Sequence, residues 1–374
     1  MNGGLPLGRR MLGNWIPTQM VRASPQRSIL IVGPTQSGKT SRLVIPFILK
    51  WEGPVLVTSV KNDVVEHTRM WRETQGPVLV INPALSNGAT WNPLEDIDNF
   101  HDAFAMTREL FFADQSSSAE SQFWMSLAGR LCASLFAIAT EQGRDVYDVM
   151  GWLDARLHGV PSARDEAVAT VFQWFLLMEP RTLDSVLTTA TSVLSPWTLR
   201  QNLGDVRSTL RRNGTIYLCA PRLDHRRFEG IFRGAVRSVI DEQERSTTSR
   251  RLLVVLDEAA SIAPLADLDQ MAATLSGSGV TLVSVFQDAA QIQHRWGTAA
   301  RTLVNNHLYR IIFHGTVDPT TSELFPEVVP DLPAVARLRQ SRRGSARLLG
   351  SSLAPMTIRS APWFRTSLRR RVPQ

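Results

Sequence analysis

Two hydrophobic patterns alternate along the chain. Short apolar runs rich in Val, Ile and Leu, without polar alternation, occur at 28–32, 54–58, 77–81, 215–219, 252–256, 280–286 and 307–313. Such runs predict strands buried on both faces, the habit of a parallel sheet. Helical periodicity follows the first two, at 41–50 and 63–74, and strand followed by helix, repeated, predicts parallel pairing. Between about 98 and 205 the pattern changes. The stretches 120–141 and 165–178 keep a helical period with no convincing strand, which predicts an all-α insertion of about 100 residues. The expected division is 1–97 and 206–374 for two parts of an α/β domain with a mostly parallel central sheet, and 98–205 for an inserted all-α domain. Near the end, 346–349 and 356–359 around Gly350 and Pro355 predict a hairpin packed on the sheet edge.

With 43% hydrophobic residues in 374, a full core is available. No run approaches the ~20 apolar residues of a membrane span, and 131–139 and 171–178 read as buried helix. Residues 1–21 are broken by Gly and Pro and lack the apolar core of a leader. Cys132 and Cys219 sit in apolar surroundings and read as small core residues of a reducing cytoplasm, and no zinc spacing is present. Trp124, Trp152 and Trp174 read as core anchors of the helical block. His294 and His307 lack a partner carboxylate in sequence and receive no role.

Charge changes the picture more by position than by amount. The formal net charge is +7, yet 332–374 holds ten arginines and no acidic residue. A basic segment of this kind suits a polyanion, nucleic acid first and anionic lipid second. Set against this, the chain has only three lysines, so its arginine content also reflects a general compositional bias.

The most specific chemistry lies at Gly33, Pro34, Thr35, Gln36, Ser37, Gly38, Lys39 and Thr40, with Ser41 following. Directly after an apolar run and before a helical stretch, this is a phosphate-binding loop in its required context. Gly33 and Gly38 permit backbone angles that turn amide N–H groups toward a phosphate. Lys39 reaches the outer phosphate oxygens, and the Thr40 hydroxyl offers a ligand to magnesium. The implied ligands are ATP and Mg2+. A second element is the run 252–256 ending in Asp257 and Glu258, the form of a Walker B strand. Asp257 is expected at the metal and Glu258 as general base toward the attacking water. The alternative is a solvated helix start capped by Asp257. Lys39 and Asp257 are 218 positions apart, which implies an intervening strand and a large insertion. Gln287, ending the run 280–286, is placed to touch the γ-phosphate or the water as a sensor.

Several motifs then match in order: the Walker loop, Lys61-Asn62-Asp63, Asn82-Pro83, Trp91-Asn92-Pro93-Leu94, the helical block, Leu253 to Glu258, Gln287 and Asn305-Asn306. On these residues the chain resembles the type IV secretion coupling proteins, TraG-like ATPases of conjugation related to the FtsK and HerA motors. The resemblance covers nearly all of 28–365. It implies a RecA-like domain carrying an all-α domain, and a homo-hexameric ring on the cytoplasmic face of the membrane. It also implies ATP hydrolysis coupled to DNA movement, with a relaxase-bound substrate passed to the membrane components of the channel. Family members generally begin with transmembrane helices, which the chain as given lacks. The second strand ends in Ser59 where the family often has aspartate. The segment 274–278 lacks the family's basic residue, whose task could pass to Arg295, Arg301 or Arg310. Two other functions compete: a nucleotide-gated docking platform without motor activity, and a chromosome-associated motor, for which Trp91 to Leu94 is unexpected.

Overall fold

The computed structural model describes residues 4–12, 16–60, 62–85, 88–111, 118–198, 200–220, 225–247, 250–313, 319–328, 344–350 and 353–372. Among these residues lie thirteen strands. They are β1 (Leu5–Leu12), β2 (Ile16–Ala23), β3 (Ile29–Val32), β4 (Val55–Ser59), β5 (Val78–Ile81), β6 (Ala89–Trp91), β7 (Asn202–Gly204), β8 (Thr215–Cys219), β9 (Leu252–Leu256), β10 (Val280–Phe286), β11 (Tyr309–Phe313), β12 (Ser345–Gly350) and β13 (Leu353–Arg359). The chain divides into two compact units, one of 1–79, 207–222 and 239–374, the other of 80–206 and 223–238.

In the first unit the strands run β2-β1-β13-β12-β11-β3-β10-β9-β4-β8. From β11 to β8 every pairing is parallel. All residues of β3, β4, β8, β9 and β10 are buried, which is what unbroken apolar runs require. β10 lies between β3 and β9, so the intervening strand expected from the sequence is present. The register pairs Phe286 with Val32 and Ser284 with Leu256, and the carboxyl ends of all three strands therefore share one edge.

The hairpin expected at the sheet edge is formed by β12 and β13, but it is not the edge. β1 pairs antiparallel with β13 and β2 with β1, so the N-terminal hairpin extends the sheet beyond it. Leu5, Leu7 and Met11 of β1 are buried, whereas β2 keeps Ile16 and Met20 exposed as an outermost strand does. Gly and Pro interrupt the apolar pattern there, which is why periodicity alone misses both strands.

Past the phosphate loop the helix opens with a π turn, Thr40–Val44, before regular helix at Ile45–Lys50. Pro46 is the cause: it has no N–H for the Arg42 carbonyl and its ring crowds that turn, so the ladder widens and Ile45 N–H donates to Thr40 O. The basic C-terminal residues are partly absorbed into the fold. Leu368 packs on Ile45 and Leu49, and Arg371 donates to the Leu49 carbonyl at 2.5 Å while its guanidinium lies 4.4 Å over the Trp71 ring. Arg337, Arg339, Arg342 and Arg343 of the same segment lie outside the described residues.

In the second unit Ile81, at the end of β5, pairs with Ala89 of β6, and β6 pairs with β7, both parallel. β6 and β7 are three residues each, too short to leave an apolar run, and β7 falls inside 98–205, which the sequence reads as wholly helical. Five helices follow from 100 to 193: Phe100–Leu110, Ala119–Glu141, Val146–Asp154, Glu166–Leu176 and Pro180–Val193. Each begins on a capping side chain, Asn99, Ser118, Asp145, Asp165 and Glu179 in turn. Helix Ala119–Glu141 is long and apolar enough to cross a membrane by length and composition, with mean hydropathy 1.4 over its best window, contrary to the run-length reading. Of that window 61% is buried, and the helices Phe100–Leu110, Glu166–Leu176 and Pro180–Val193 pack on it, which is the setting of a core helix.

The tryptophan expectation needs correction. Trp174 is 48% exposed with the Arg130 guanidinium 5.5 Å over its ring, and Trp124 and Trp152 are only half-buried. Trp91 and Trp197 are the fully buried pair instead, Trp197 Nε1 donating to the Trp91 carbonyl at 2.9 Å. The Trp91 ring packs so close to Gly234 that a Cβ there would stand 2.6 Å from it, while the Asn92 side chain accepts from Leu94 N–H at 3.2 Å and closes a turn. This motif thus has a packing role.

One buried charge organises the first unit. Arg72 is completely buried, and its guanidinium donates to Thr215 Oγ1 at 2.6 Å, Trp51 O at 2.6 Å and Gly53 O at 2.7 Å. It thereby ties helix Asp63–Glu73 to β8 and to the turn that enters β4. Burial pushes its pKa down to about 10, still far above neutral, so it stays charged. Arg72→Leu strands two carbonyls and a hydroxyl in a dry interior and should lower unfolding free energy by roughly 2–4 kcal/mol. Urea denaturation measures this, and a loss below the spread of neutral surface substitutions would refute the assignment.

Candidate functional site

The edge shared by β3, β10 and β9 gathers the predicted site residues from three distant parts of the chain. The loop 33–40 leaves β3, Asp257 and Glu258 leave β9, and Gln287 leaves β10 beside them. Gly33 N–H donates to Phe286 O at 3.1 Å, which fixes the loop's start against β10. The contact that joins the two halves is Thr40 Oγ1 donating to Asp257 Oδ2 at 3.4 Å. Lys39 is buried, its ammonium donating to the Gly33 carbonyl and to Pro34 O at 3.1 Å.

The two loop glycines are required for different reasons. Gly38 has φ +97°, which a side chain would strain. Gly33 has no such angle; a Cβ there would stand 2.7 Å from Phe313 Cβ of β11, so close packing rather than backbone freedom demands it. Between them Gln36 adopts φ +64°. Ser37 Oγ is buried without a hydrogen-bond partner.

On β9, Asp257 is buried and Glu258 is half-buried with φ +58°. The left-handed angle turns the chain sharply: Ala259 N–H donates to Val285 O at 3.1 Å and the Glu258 carbonyl accepts from Ser261 at 2.8 Å. No helix starts here, the next one being Leu268–Thr274, so the alternative of a helix capped by Asp257 does not hold. A non-glycine residue in this conformation costs of order 1 kcal/mol and is held by its surroundings. Gln287 is half-buried, its N–H donating to Gln291 Oε1 at 3.1 Å, and Asp288 caps the helix that follows.

Electrostatics single out Asp257. Burial first, then the Glu258 charge and more weakly Asp63, push its carboxyl up to about 7, while Lys39 and the Thr40 hydroxyl oppose them. Asp63 opens the helix after β4 and has a buried Oδ1 without a hydrogen-bond partner. The sequence marks this residue only as part of a motif. Its meaning depends on β4 pairing with β9, which brings the turn after β4 to the same edge. From β4 itself Thr58 Oγ1 donates to the Asp257 backbone carbonyl at 3.1 Å. Ser59, in the place where aspartate was expected, is buried. Lys61, which precedes Asp63 in that motif, lies outside the described residues.

The arginines considered for a neighbouring site are engaged locally or surface-borne. Arg310 pairs with Glu327 at 3.0 Å, and Arg301 is exposed. Arg295 is half-buried near the end of helix Ala289–Trp296. The segment without a basic residue is served by Arg251, which donates to Ser276 O and Val280 O, both at 3.2 Å. His307 is structural, held by Leu303 O at 2.7 Å and Ser284 Oγ at 3.0 Å, with burial pushing its pKa down to about 4. Both cysteines are buried, and burial raises their pKa values.

The raised Asp257 carboxyl has a stability consequence. Between about pH 4 and 7 the unfolded chain has lost this proton while the folded chain holds it, so the nucleotide-free fold loses stability as pH rises through that window. Asp257→Asn should therefore stabilise the nucleotide-free chain at pH 8 by roughly 1–3 kcal/mol, with a smaller gain at pH 5. Urea midpoints at the two pH values test this; an equal effect at both would overturn it.

With this geometry in place, the comparisons with known proteins are specific. The family model described as Type IV secretory system Conjugative DNA transfer matches residues 8–334. Conjugal transfer protein TraG of Escherichia coli is 22% identical over 321 residues, covering 74% of this chain and 50% of that protein. The chain thus spans about half the length of the curated relatives it matches. Among solved structures, the plasmid coupling protein TrwB in complex with ADP and Mg2+ aligns with TM-score 0.69 at 17% identity, covering 97% of this chain and 96% of that one. VirB4 of Thermoanaerobacter pseudethanolicus aligns with TM-score 0.62 at 16% identity, covering 99% of each. These likenesses show a shared RecA-like α/β fold. Since the family model spans the phosphate loop, β9 and β10 alike, the chain belongs to the type IV secretory system conjugative DNA transfer family.

Proposed function

We propose that this chain binds and hydrolyses ATP with Mg2+ to drive DNA, or a nucleoprotein carrying it, toward a type IV secretion channel. The observation that carries this reading is the Thr40 hydroxyl on the Asp257 carboxylate, at one sheet edge with Lys39 and Glu258. TrwB, of like fold, has been solved with ADP and Mg2+ and with a non-hydrolysable ATP analogue, which supports the choice of ligand. The working parts in this reading are the first unit as the nucleotide-binding domain, against the expected 1–97 with 206–374, and the second, mostly helical unit as its insertion, against the expected 98–205.

The site fits the ion and the nucleotide. The orphaned Ser37 Oγ and the amides around Gly38 form a cradle for phosphate oxygens, with Pro34, Thr35, Gln36 and Ser41 completing its wall. The Thr40 hydroxyl and the Asp257 carboxylate, 3.4 Å apart, are the oxygen groups that would hold Mg2+. Bound there, Mg2+ supplies charge neutralisation to the bridging and outer phosphate oxygens. Lys39 exchanges the Gly33 and Pro34 carbonyls for phosphate oxygens. Glu258, beyond the metal carboxylate, accepts the proton of the attacking water, and Gln287 holds that water or the γ-phosphate and senses its loss. Asp257 must ionise to serve, and a dication beside it favours the ionised form.

The assembly in this reading is the homo-hexamer that the family resemblance implies, at the cytoplasmic face of the membrane, partnered by a relaxase and by the channel's membrane components. A second reading, a nucleotide-gated docking platform, draws on the segment 274–278, which has no basic side chain to complete a neighbouring site. The two readings differ in outcome. A motor should hydrolyse ATP faster with single- or double-stranded DNA, in step with assembly. Lys39→Ala should abolish nucleotide binding, whereas Glu258→Gln should keep binding and lose hydrolysis by about 100-fold or more. Parent-like hydrolysis in both variants would sink the site assignment. DNA delivery retained by Glu258→Gln in cells would decide for docking.

A further inference from the structure

Along the helix that follows the phosphate loop, the first unit has a cavity of about 360 Å³ whose lining includes Arg9, Arg42, Lys50, Arg359 and Arg365. No acidic side chain lines it among the described residues. Its volume is within the range of small-ligand sites. Pro46 and Leu368 give it an apolar floor. Five cationic side chains line this space, four of them arginines with planar forks, Arg9 donating to the Thr18 carbonyl and Arg42 to that of Ser360, and such a lining matches a compact ligand carrying several negative charges on tetrahedral oxygens. We propose that this cavity is a second anion site, distinct from the nucleotide site, that takes a compact phosphate compound of pyrophosphate size. Burial first, then the charges of Arg22 and Arg371, hold the Lys50 ammonium below its ordinary range, so two arginines outside the lining add to the positive charge felt at Lys50.

The cavity is linked to the loop through Arg42. This side chain is seated between two glycines of positive φ: a Cβ on Gly38 would stand 2.7 Å from Arg42 Nε, and one on Gly344 would also strike the guanidinium. Arg42 donates to the Ser360 carbonyl, on the rim of the same cavity. An anion drawn to this guanidinium bears on Gly38, next to Lys39, so occupancy of the two sites is coupled and the coupling is reciprocal. This coupling rests on the nucleotide reading; the anion site does not.

Inorganic pyrophosphate is the probe, titrated calorimetrically into the full chain carrying Lys39→Ala, which takes the phosphate loop out of the count. One equivalent should bind, and adding Arg365→Gln or Lys50→Gln should weaken it about tenfold or more with the urea midpoint unchanged. A Lys39→Ala chain that binds no pyrophosphate, or charge-removed variants that bind as tightly, would overturn the proposal. Failure of ATP binding in the parent chain would leave this titration readable, so the two readings fail separately. Vesicles of phosphatidylglycerol against phosphatidylcholine identify the source. Retention on the first that Arg365→Gln abolishes would mean a lipid headgroup supplies the phosphate, and no retention would mean a soluble compound does.

Discussion

The insertion of β10 between β3 and β9 is the constraint on which the rest depends. Parallel strands in register end at one edge, so a loop after the first, a carboxylate after the second and an amide after the third arrive together. Crevices at the carboxyl ends of open parallel sheets are where such folds bind ligands, because the strand ends and helix N-termini there present unpaired polar groups. Here the consequence is concrete: a hydroxyl at 40 and a carboxylate at 257 stand 3.4 Å apart across two strand spacings.

That arrangement opposes stability locally. A buried Asp257 beside Glu258 and Asp63, a glutamate in the left-handed region, an orphaned Ser37 hydroxyl and a lysine folded onto its own loop are each unfavourable in an isolated chain. The surrounding sheet, buried throughout its five central strands, and the Arg72 clamp offset them. At this edge the buried Asp257 carboxyl and the orphaned Ser37 hydroxyl stand where a cation and a phosphate would give them partners.

Charge is organised differently away from the edge. The arginine-rich end of the chain reads as a solvated polyanion-binding tail, yet its described part returns to the helix after the phosphate loop, stacking Arg371 on Trp71 and lining a cavity with Arg359 and Arg365. Arginine suits both settings, since its stem covers apolar surface and its fork stays ionised when half-buried.

The sequence by itself determined the elements whose signals are local. Seven strands follow from unbroken apolar runs, although Val78, Leu79 and Val80 of β5 and Tyr309 and Arg310 of β11 are only half-buried, the phosphate loop follows from its Gly-Lys-Thr pattern between strand and helix, and the Asp257-Glu258 pair from its place at a strand end. Short strands at 89–91 and 202–204 and the Pro- and Gly-broken hairpin at 5–23 left no such signal. Only the tertiary structure decided which ends meet: that Asp63 bears on Asp257, that Gly33 is glycine because of Phe313, that Arg72 is a buried clamp and that Arg42 joins the loop to a second cluster of cations. The reason is physical. Periodicity records how each segment divides its faces between core and water, whereas the meeting of residues some two hundred positions apart is set by strand order and register, which no single segment encodes.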